Sequence, residues 1–263
     1  MNHQNAKKIY VQYVRYRGEK MELLKLLAKK NTDISSSAPV TIAFLGDSVT
    51  QGCFELYKGY KTDFEGINDY EAVYHSQLKK MLYYIFPTAP INIINAGIGG
   101  NCAQQGCDKI ERDVINYSPD LVVVCFGLND ACSGLENIDK YVSSLKEIFR
   151  KLKEKEIETI FMTPNMMNTY LSPLTTPDSV VDFAKYTAEI QNDGIMDTFM
   201  DAAKKLCFEE KILVCDCYGK WKMLFEAGVD TTKLLSNHIN HPSREMHMLF
   251  AASLFEMIMF EDA

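Results

Sequence analysis

Apolar residues recur at helical spacing from residue 4 to 30, at Ile9, Tyr13, Tyr16, Leu23, Leu24, Leu27 and Ala28, with Lys, Arg and Glu between them. That spacing predicts one long helix. It stops at Asn31-Thr32-Asp33, and Ser35-Ser36-Ser37-Ala38-Pro39 has the composition of a linker. From Val40 the pattern changes. Short continuous apolar runs predict strands over 40–45, 91–94, 121–126, 157–162 and 211–215. Periodic stretches between them predict helices over 69–86, 103–116, 137–155 and 179–208, the last broken at Asp193-Gly194. A closing helix over 243–259 has an apolar face of Met246, Leu249, Phe250, Leu254, Met257 and Ile258. Five apolar strands separated by helices imply an α/β fold whose parallel sheet is covered on both faces, with right-handed crossovers. The chain divides into an N-terminal helix and linker, 1–38, and an α/β domain, 39–263. The stretch 164–178 is rich in Asn, Thr, Ser, Met and Pro and follows the fourth strand. It reads as a long loop at the carboxyl edge of the sheet, where substrate sites form.

Composition narrows the function classes. With 263 residues, 47% hydrophobic, the chain can build one large core without staples. A formal net charge of −7 argues against nucleic acid as a partner, because phosphate neutralisation needs a basic surface. No run approaches the about 18 apolar residues of a membrane span, so no membrane partner is expected. The N-terminal sequence shows no apolar leader, which predicts a cytoplasmic protein whose eight cysteines are reduced thiols. None of those cysteines has the paired spacing of a zinc site. Cys215 and Cys217, two apart in a strand-like run, would share one face.

Four short motifs open onto the predicted carboxyl edge of the sheet. They are Gly46-Asp47-Ser48 after the first strand, Asn95-Ala96-Gly97-Ile98-Gly99-Gly100-Asn101 after the second, Gly127-Leu128-Asn129-Asp130 after the third, and His241-Pro242 ahead of the last helix. Ligands of open α/β sheets bind at that edge. Taken singly, each has a plain alternative: Ser48 and Asn129 suit helix caps, and Asp47 suits an Asx turn. Taken together, they fit acyl transfer. Ser48 would attack a carbonyl, and His241 would take its proton and hand it to the leaving group. The oxyanion would meet the backbone N–H of Ser48, the backbone N–H of Gly100 and the side-chain amide of Asn129.

These residues resemble the SGNH hydrolases, also called the GDSL esterase/lipase family. The family is named for Ser, Gly, Asn and His in four blocks, matched by Ser48, Gly100, Asn129 and His241, and its second block, Asn-x-Gly-x-x-Gly, is matched by Asn95, Gly97 and Gly100. The resemblance runs from about Val40 to Phe260. It implies a flavodoxin-like, three-layer αβα fold with a five-stranded parallel sheet of order 2-1-3-4-5, and ester hydrolysis that needs neither cofactor nor metal. Within the family it favours an acetyl group on a carbohydrate or other small alcohol. A lipase or thioesterase for longer acyl chains, and a non-catalytic carbohydrate-binding relative, are the alternatives.

The last block departs from the family's Asp-x-x-His-Pro. Three residues before His241 stands His238. A Ser48–His241 dyad is therefore expected, with His238 or its carbonyl orienting His241 and Asp230 as a more distant candidate. His247 is read as a core residue or a support behind the site, His75 and His3 as surface, and Met166 and Met167 as core filling or an acyl-pocket lining. The N-terminal helix is a candidate surface for homo-oligomer formation.

Overall fold

The computed structural model describes residues 21–260. In chain order the elements are α1 (Glu22–Thr32), β1 (Val40–Gly46), α2 (Ser48–Gln51), β2 (Cys53–Tyr57), β3 (Glu65–Asn68), α3 (Tyr74–Ile85), β4 (Ile91–Gly97), α4 (Ala103–Asp113), β5 (Leu121–Cys125), α5 (Leu128–Ala131), α6 (Ile138–Glu154), β6 (Glu158–Met162), α7 (Val181–Asn192), α8 (Ile195–Glu210), β7 (Leu213–Cys215), α9 (Cys217–Glu226) and α10 (His247–Phe260).

The apolar runs become a five-stranded parallel sheet in the order β4-β1-β5-β6-β7. Counted along the chain within that sheet, this is 2-1-3-4-5. All five residues of β5 are buried, as a continuous apolar run flanked by strands and covered by helices should be. The register matters for function. Gly46 of β1 pairs with Gly97 of β4 and with Cys125 of β5, so three strands end in one row. The segments that follow them share one edge.

Helices flank the sheet in two groups. α4 packs on α6 and α6 on α8, while α10 packs on α3, α1 and α9. In α6 the buried residues Tyr141, Ser144, Leu145, Ile148, Phe149 and Leu152 recur at three and four. Phe149 meets Phe161 of β6 edge to face at 6.2 Å. The far side of α6 carries Arg150 bonded to Glu147 and Glu154.

Of the long N-terminal helix expected over 4–30, the structure describes α1. Ile9, Tyr13, Tyr16 and His3 lie outside the described residues. Leu23 and Leu27 of α1 are fully buried in the same core as the sheet. The Glu158 carboxylate of β6 caps the start of α1, accepting from the backbone N–H of Glu22 at 3.2 Å and of Leu23 at 3.0 Å.

The helical stretch over 179–208 breaks where expected, Gly194 standing between α7 and α8. Besides the short helices α2 and α5, a hairpin and a further helix were not anticipated. β2 and β3 form an antiparallel hairpin with a register irregularity between Cys53 and Leu56, and α9 follows β7. The closing helix starts at His247, four residues later than expected, and the Ser243 N–H is bound to the Leu234 carbonyl at 2.8 Å in the loop before it. All eight cysteines are free thiols; Cys215 and Cys217 do share a face, their sulfurs 3.8 Å apart. No helix among the described residues is long and apolar enough to cross a membrane.

Candidate active site

β1 ends at Gly46, and Asp47 turns the chain by capping α2, its Oδ1 accepting from the Val49 N–H at 2.9 Å. Ser48 is therefore the first residue of a short helix at the sheet edge. It is 9% exposed. β4 must pass close beside this turn. A Cβ on Gly97 would lie 2.2 Å from the backbone nitrogen of Gln51, which only glycine avoids. Gly100 has φ +76 with nothing within 4 Å of a Cβ position, so what requires glycine there is backbone conformation, not crowding.

His241 reaches the same place from the other end of the chain. Its Nε2 lies 2.9 Å from Ser48 Oγ, across 193 positions of sequence. Its Nδ1 lies 3.0 Å from the Phe54 carbonyl in β2. A carbonyl only accepts, so Nδ1 carries the proton and the Nε2 lone pair faces the serine hydroxyl. Burial pushes the His241 pKa down to about 4, against smaller opposing effects of the Phe54 bond and the Glu55 charge. At neutral pH the ring is uncharged and able to accept a proton at Nε2.

The loop 235–242 is built to hold that ring. Leu235 and Pro242 form an isolated antiparallel bridge. Within it the Asn237 Oδ1 accepts three backbone N–H groups, from Ile239 at 3.0 Å, Asn240 at 3.0 Å and His241 at 2.9 Å. The long loop after β6 braces it from outside. Asn165 Nδ2 donates to the Asn240 carbonyl at 2.8 Å, and the Asn168 N–H to the Ile239 carbonyl at 2.8 Å.

His238 does not orient His241. It occupies a left-handed position, φ +55, in this tight loop, and its Nδ1 is buried without a hydrogen-bond partner. The acceptor at His241 Nδ1 is the Phe54 carbonyl instead. Asp230 is also elsewhere, accepting from Tyr170 Oη at 2.9 Å and pairing with Lys233 at 3.1 Å.

The second and third blocks meet each other, and Gly99 of the second stands beside the serine. Asn129 Nδ2 donates to the Asn101 carbonyl at 2.9 Å, which fixes the carboxamide and leaves its other N–H. Gly100 and Asn129 both line a cavity of about 230 Å³ with Gln104, Ser133, Lys140 and Tyr141 among its walls. A Cβ on Gly99 would stand 3.8 Å from the Ser48 Cβ. Asp130 links the blocks structurally, its Oδ1 accepting the Ala103 N–H at 2.9 Å where α4 begins. Burial raises Asp130 to about 6 and Asp47 to about 7, with the Asp130 charge adding to the second shift.

His75 is buried, not on the surface. Its Nε2 lies 3.2 Å from the Thr50 carbonyl of α2. His247 is fully buried behind the site: its Nδ1 accepts the Tyr74 N–H at 3.1 Å and its ring sits 4.7 Å from that of Phe54. Met166 and Met167 are buried in the main core. Sequence reasoning missed Phe54, because a backbone carbonyl leaves no side-chain signature. It also missed Asn237, although an Asn four residues before a candidate base is a visible turn signal.

A serine-bearing turn, a glycine, an asparagine and a histidine at one edge of a 2-1-3-4-5 sheet fit a carboxylic ester hydrolase of the SGNH class. The chain belongs to the GDSL-like Lipase/Acylhydrolase family, whose model matches residues 44–249. It is 25% identical over 231 residues to an acetylxylan esterase of Geobacillus stearothermophilus, covering 84% of this chain and 94% of that protein. The crystal structure of an acetylxylan esterase from that organism superimposes with a TM-score of 0.62 at 20% identity, over 85% of this chain and 96% of the other. An acetyl xylan esterase of a second structure gives 0.62 at 19% identity, over 84% and 100%. Catalytic mutants of the Geobacillus esterase alter a serine, a histidine and an aspartate three positions before that histidine.

Proposed function

We propose that this chain hydrolyses acetyl esters on carbohydrate, by a Ser48–His241 dyad without a side-chain acid. The observation that carries the catalytic part is the pair of contacts made by His241: Nε2 at 2.9 Å from Ser48 Oγ and Nδ1 at 3.0 Å from the Phe54 carbonyl. As Ser48 Oγ bonds to the acetyl carbon, its proton moves to Nε2. The tetrahedral oxyanion is received by the N–H groups of Ser48 and Gly100 and by the free amide hydrogen of Asn129. The imidazolium then gives its proton to the sugar oxygen as the ester bond breaks. A water attacks the acetyl-serine by the same route in reverse and releases acetate. Throughout, Nδ1–H stays on Phe54, so the ring keeps its orientation and tautomer.

The choice of acetyl and of carbohydrate rests on the acetylxylan esterase relatives. It agrees with the burial of Met166 and Met167, which leaves neither as a free apolar surface for a long acyl chain. The test is acetate release from acetylated xylo-oligosaccharides, alongside a p-nitrophenyl ester series from acetyl to decanoyl. Acetate release, with kcat/KM falling as the acyl chain lengthens, is expected. A rate that climbs with chain length would make the protein a lipase or thioesterase. No turnover of any ester by folded protein would leave a carbohydrate-binding relative.

A further inference from the structure

The imidazolium formed during the reaction has no carboxylate on Nδ1, only a neutral peptide carbonyl. Removing the aspartate of a serine triad costs about 10⁴ in rate, so something behind Phe54 matters. Immediately behind it is a cluster of three charged side chains drawn from distant segments. Arg244, three residues beyond His241, grips the Glu55 carboxylate with both terminal nitrogens, Nη1 on Oε1 and Nη2 on Oε2 at 3.1 Å. Its Nε donates to Asp69 Oδ2 at 2.9 Å. The guanidinium also lies over the Phe54 ring, 4.4 Å from the centroid, while His247 contacts the same ring at 4.7 Å. Asp69 is itself anchored, accepting the N–H groups of Glu71 at 3.1 Å and Ala72 at 3.0 Å. Its own N–H holds the Gly52 carbonyl at 2.9 Å, which closes the base of the hairpin.

We propose that Glu55, Asp69 and Arg244 are positioning residues that stand in for the missing triad acid, fixing the Phe54 carbonyl against His241 Nδ1 and presenting to that ring the net single negative charge of two carboxylates and one guanidinium. This rests on the Ser48–His241 reading of the site. The ring of Phe54 is held by Arg244, its neighbour Glu55 is held by the same arginine, and the hairpin that carries both is closed by Asp69. The carbonyl between them therefore has little freedom. The side chains of Glu55, Asp69 and Arg244 are about one-third exposed, which screens their field. A bidentate arginine in a network is nevertheless the arrangement in which ion pairs keep their worth.

The histidines around His241 do not supply this charge. His247, at the start of α10, and His75, on α3, are pushed down by burial to about 3 and about 4 and are neutral. Asp47, beside Ser48, is pushed up to about 7 by its burial. Glu55 on β2 is the charge that acts on the ring, favouring its protonated form, and Arg244 and Asp69 hold that carboxylate and its hairpin in place.

The test compares kcat, KM and the acid limb of kcat/KM for Glu55→Gln, Arg244→Met and Arg244→Lys, with thermal midpoints recorded. Glu55→Gln keeps shape and removes negative charge, so imidazolium is disfavoured. Its acid limb moves to lower pH, and kcat falls about 10-fold to 100-fold, the size of loss seen when the partners behind a metal-binding histidine are removed, with KM unchanged. Arg244→Met removes positive charge, so its acid limb moves to higher pH while kcat also falls. Arg244→Lys keeps the charge and loses the fork, so its limb stays and kcat is intermediate. Limbs moving in opposite directions are a signature that simple loosening of the hairpin cannot produce. Folded Glu55→Gln with kcat within twofold of the parent, or limbs that move together, overturns the proposal. Should Arg244→Met not fold, the Glu55→Gln and Arg244→Lys pair decides by the same criteria. Ser48→Ala run in parallel separates the two ideas: activity surviving that change refutes the catalytic pair itself, whatever the clamp does.

Discussion

Asn237→Ala removes one oxygen that serves three backbone donors. The N–H groups of Ile239, Asn240 and His241 lie 2.9–3.0 Å from Asn237 Oδ1, inside a loop whose residues 237 and 239–241 are buried. A buried donor left without an acceptor costs about 1–3 kcal/mol. The space vacated by the carboxamide is polar and can admit a water that serves some of the three, so the low end of the range applies and the loss sums to about 3 kcal/mol. Activity should suffer as well, because one freed donor belongs to His241. A displacement of about 1 Å at a catalytic group costs about 10² in rate. Urea unfolding followed by tryptophan fluorescence reads the first effect from the single, fully buried Trp221. Initial rates on p-nitrophenyl acetate read the second. Asn237→Asp is the control: it keeps the accepting oxygen, places a negative charge where three N–H groups point, replaces the Nδ2 donation to Asn240 Oδ1 at 3.0 Å by an oxygen, and should retain more of both properties than the alanine variant. An alanine variant within 0.5 kcal/mol and twofold of the parent, small against the range expected for buried donors, would refute the idea that Asn237 sets the histidine.

Three further outcomes follow from the same geometry. His238→Ala should keep kcat within about threefold of the parent, since Phe54 and not His238 meets Nδ1; a loss near the about 10⁴ of a true triad member in steady-state assays would contradict this. Asn129→Ala should lower kcat by about 10² to 10³, as removal of an oxyanion donor does, with little change in KM; an unchanged kcat would remove Asn129 from the reaction. Leu27→Ala, in a helix outside the family match, should destabilise the fold by about 2–5 kcal/mol as a fully buried leucine does, and a midpoint shift worth less than about 1 kcal/mol would show α1 to be detachable.

The fold was legible where burial alone decides the pattern. β5 is apolar at every position because both its faces are covered, and the break at Gly194 announces itself by residue type. The hairpin β2–β3 was not legible. It is short, carries charge at Glu55 and Glu65, and exists because its Phe54 side chain reaches the core while its edge faces the histidine loop. The site divides the same way. Ser48, Asn129 and His241 could be named because the proposed chemistry requires those side chains, and Gly100 because it completes a glycine-rich turn after a strand. The acceptor for His241 could not, because it is a main-chain atom 187 positions away. Substituting His for the usual Asp at position 238 signalled only that the acceptor had moved, not where. His75 looked unpartnered in sequence and is buried against α2, a contact that only the packing of α3 on the sheet creates.

The central claim is that Ser48 is the nucleophile, activated by a neutral His241. Intact-mass analysis after exposure to a fluorophosphonate at pH 7 tests it most directly. The parent protein should gain one phosphonyl adduct, mapped by peptide digestion to Ser48. Ser48→Ala should gain none, and His241→Ala should label far more slowly while remaining folded. An adduct on another residue, or equal labelling of the folded Ser48→Ala protein, would contradict the account.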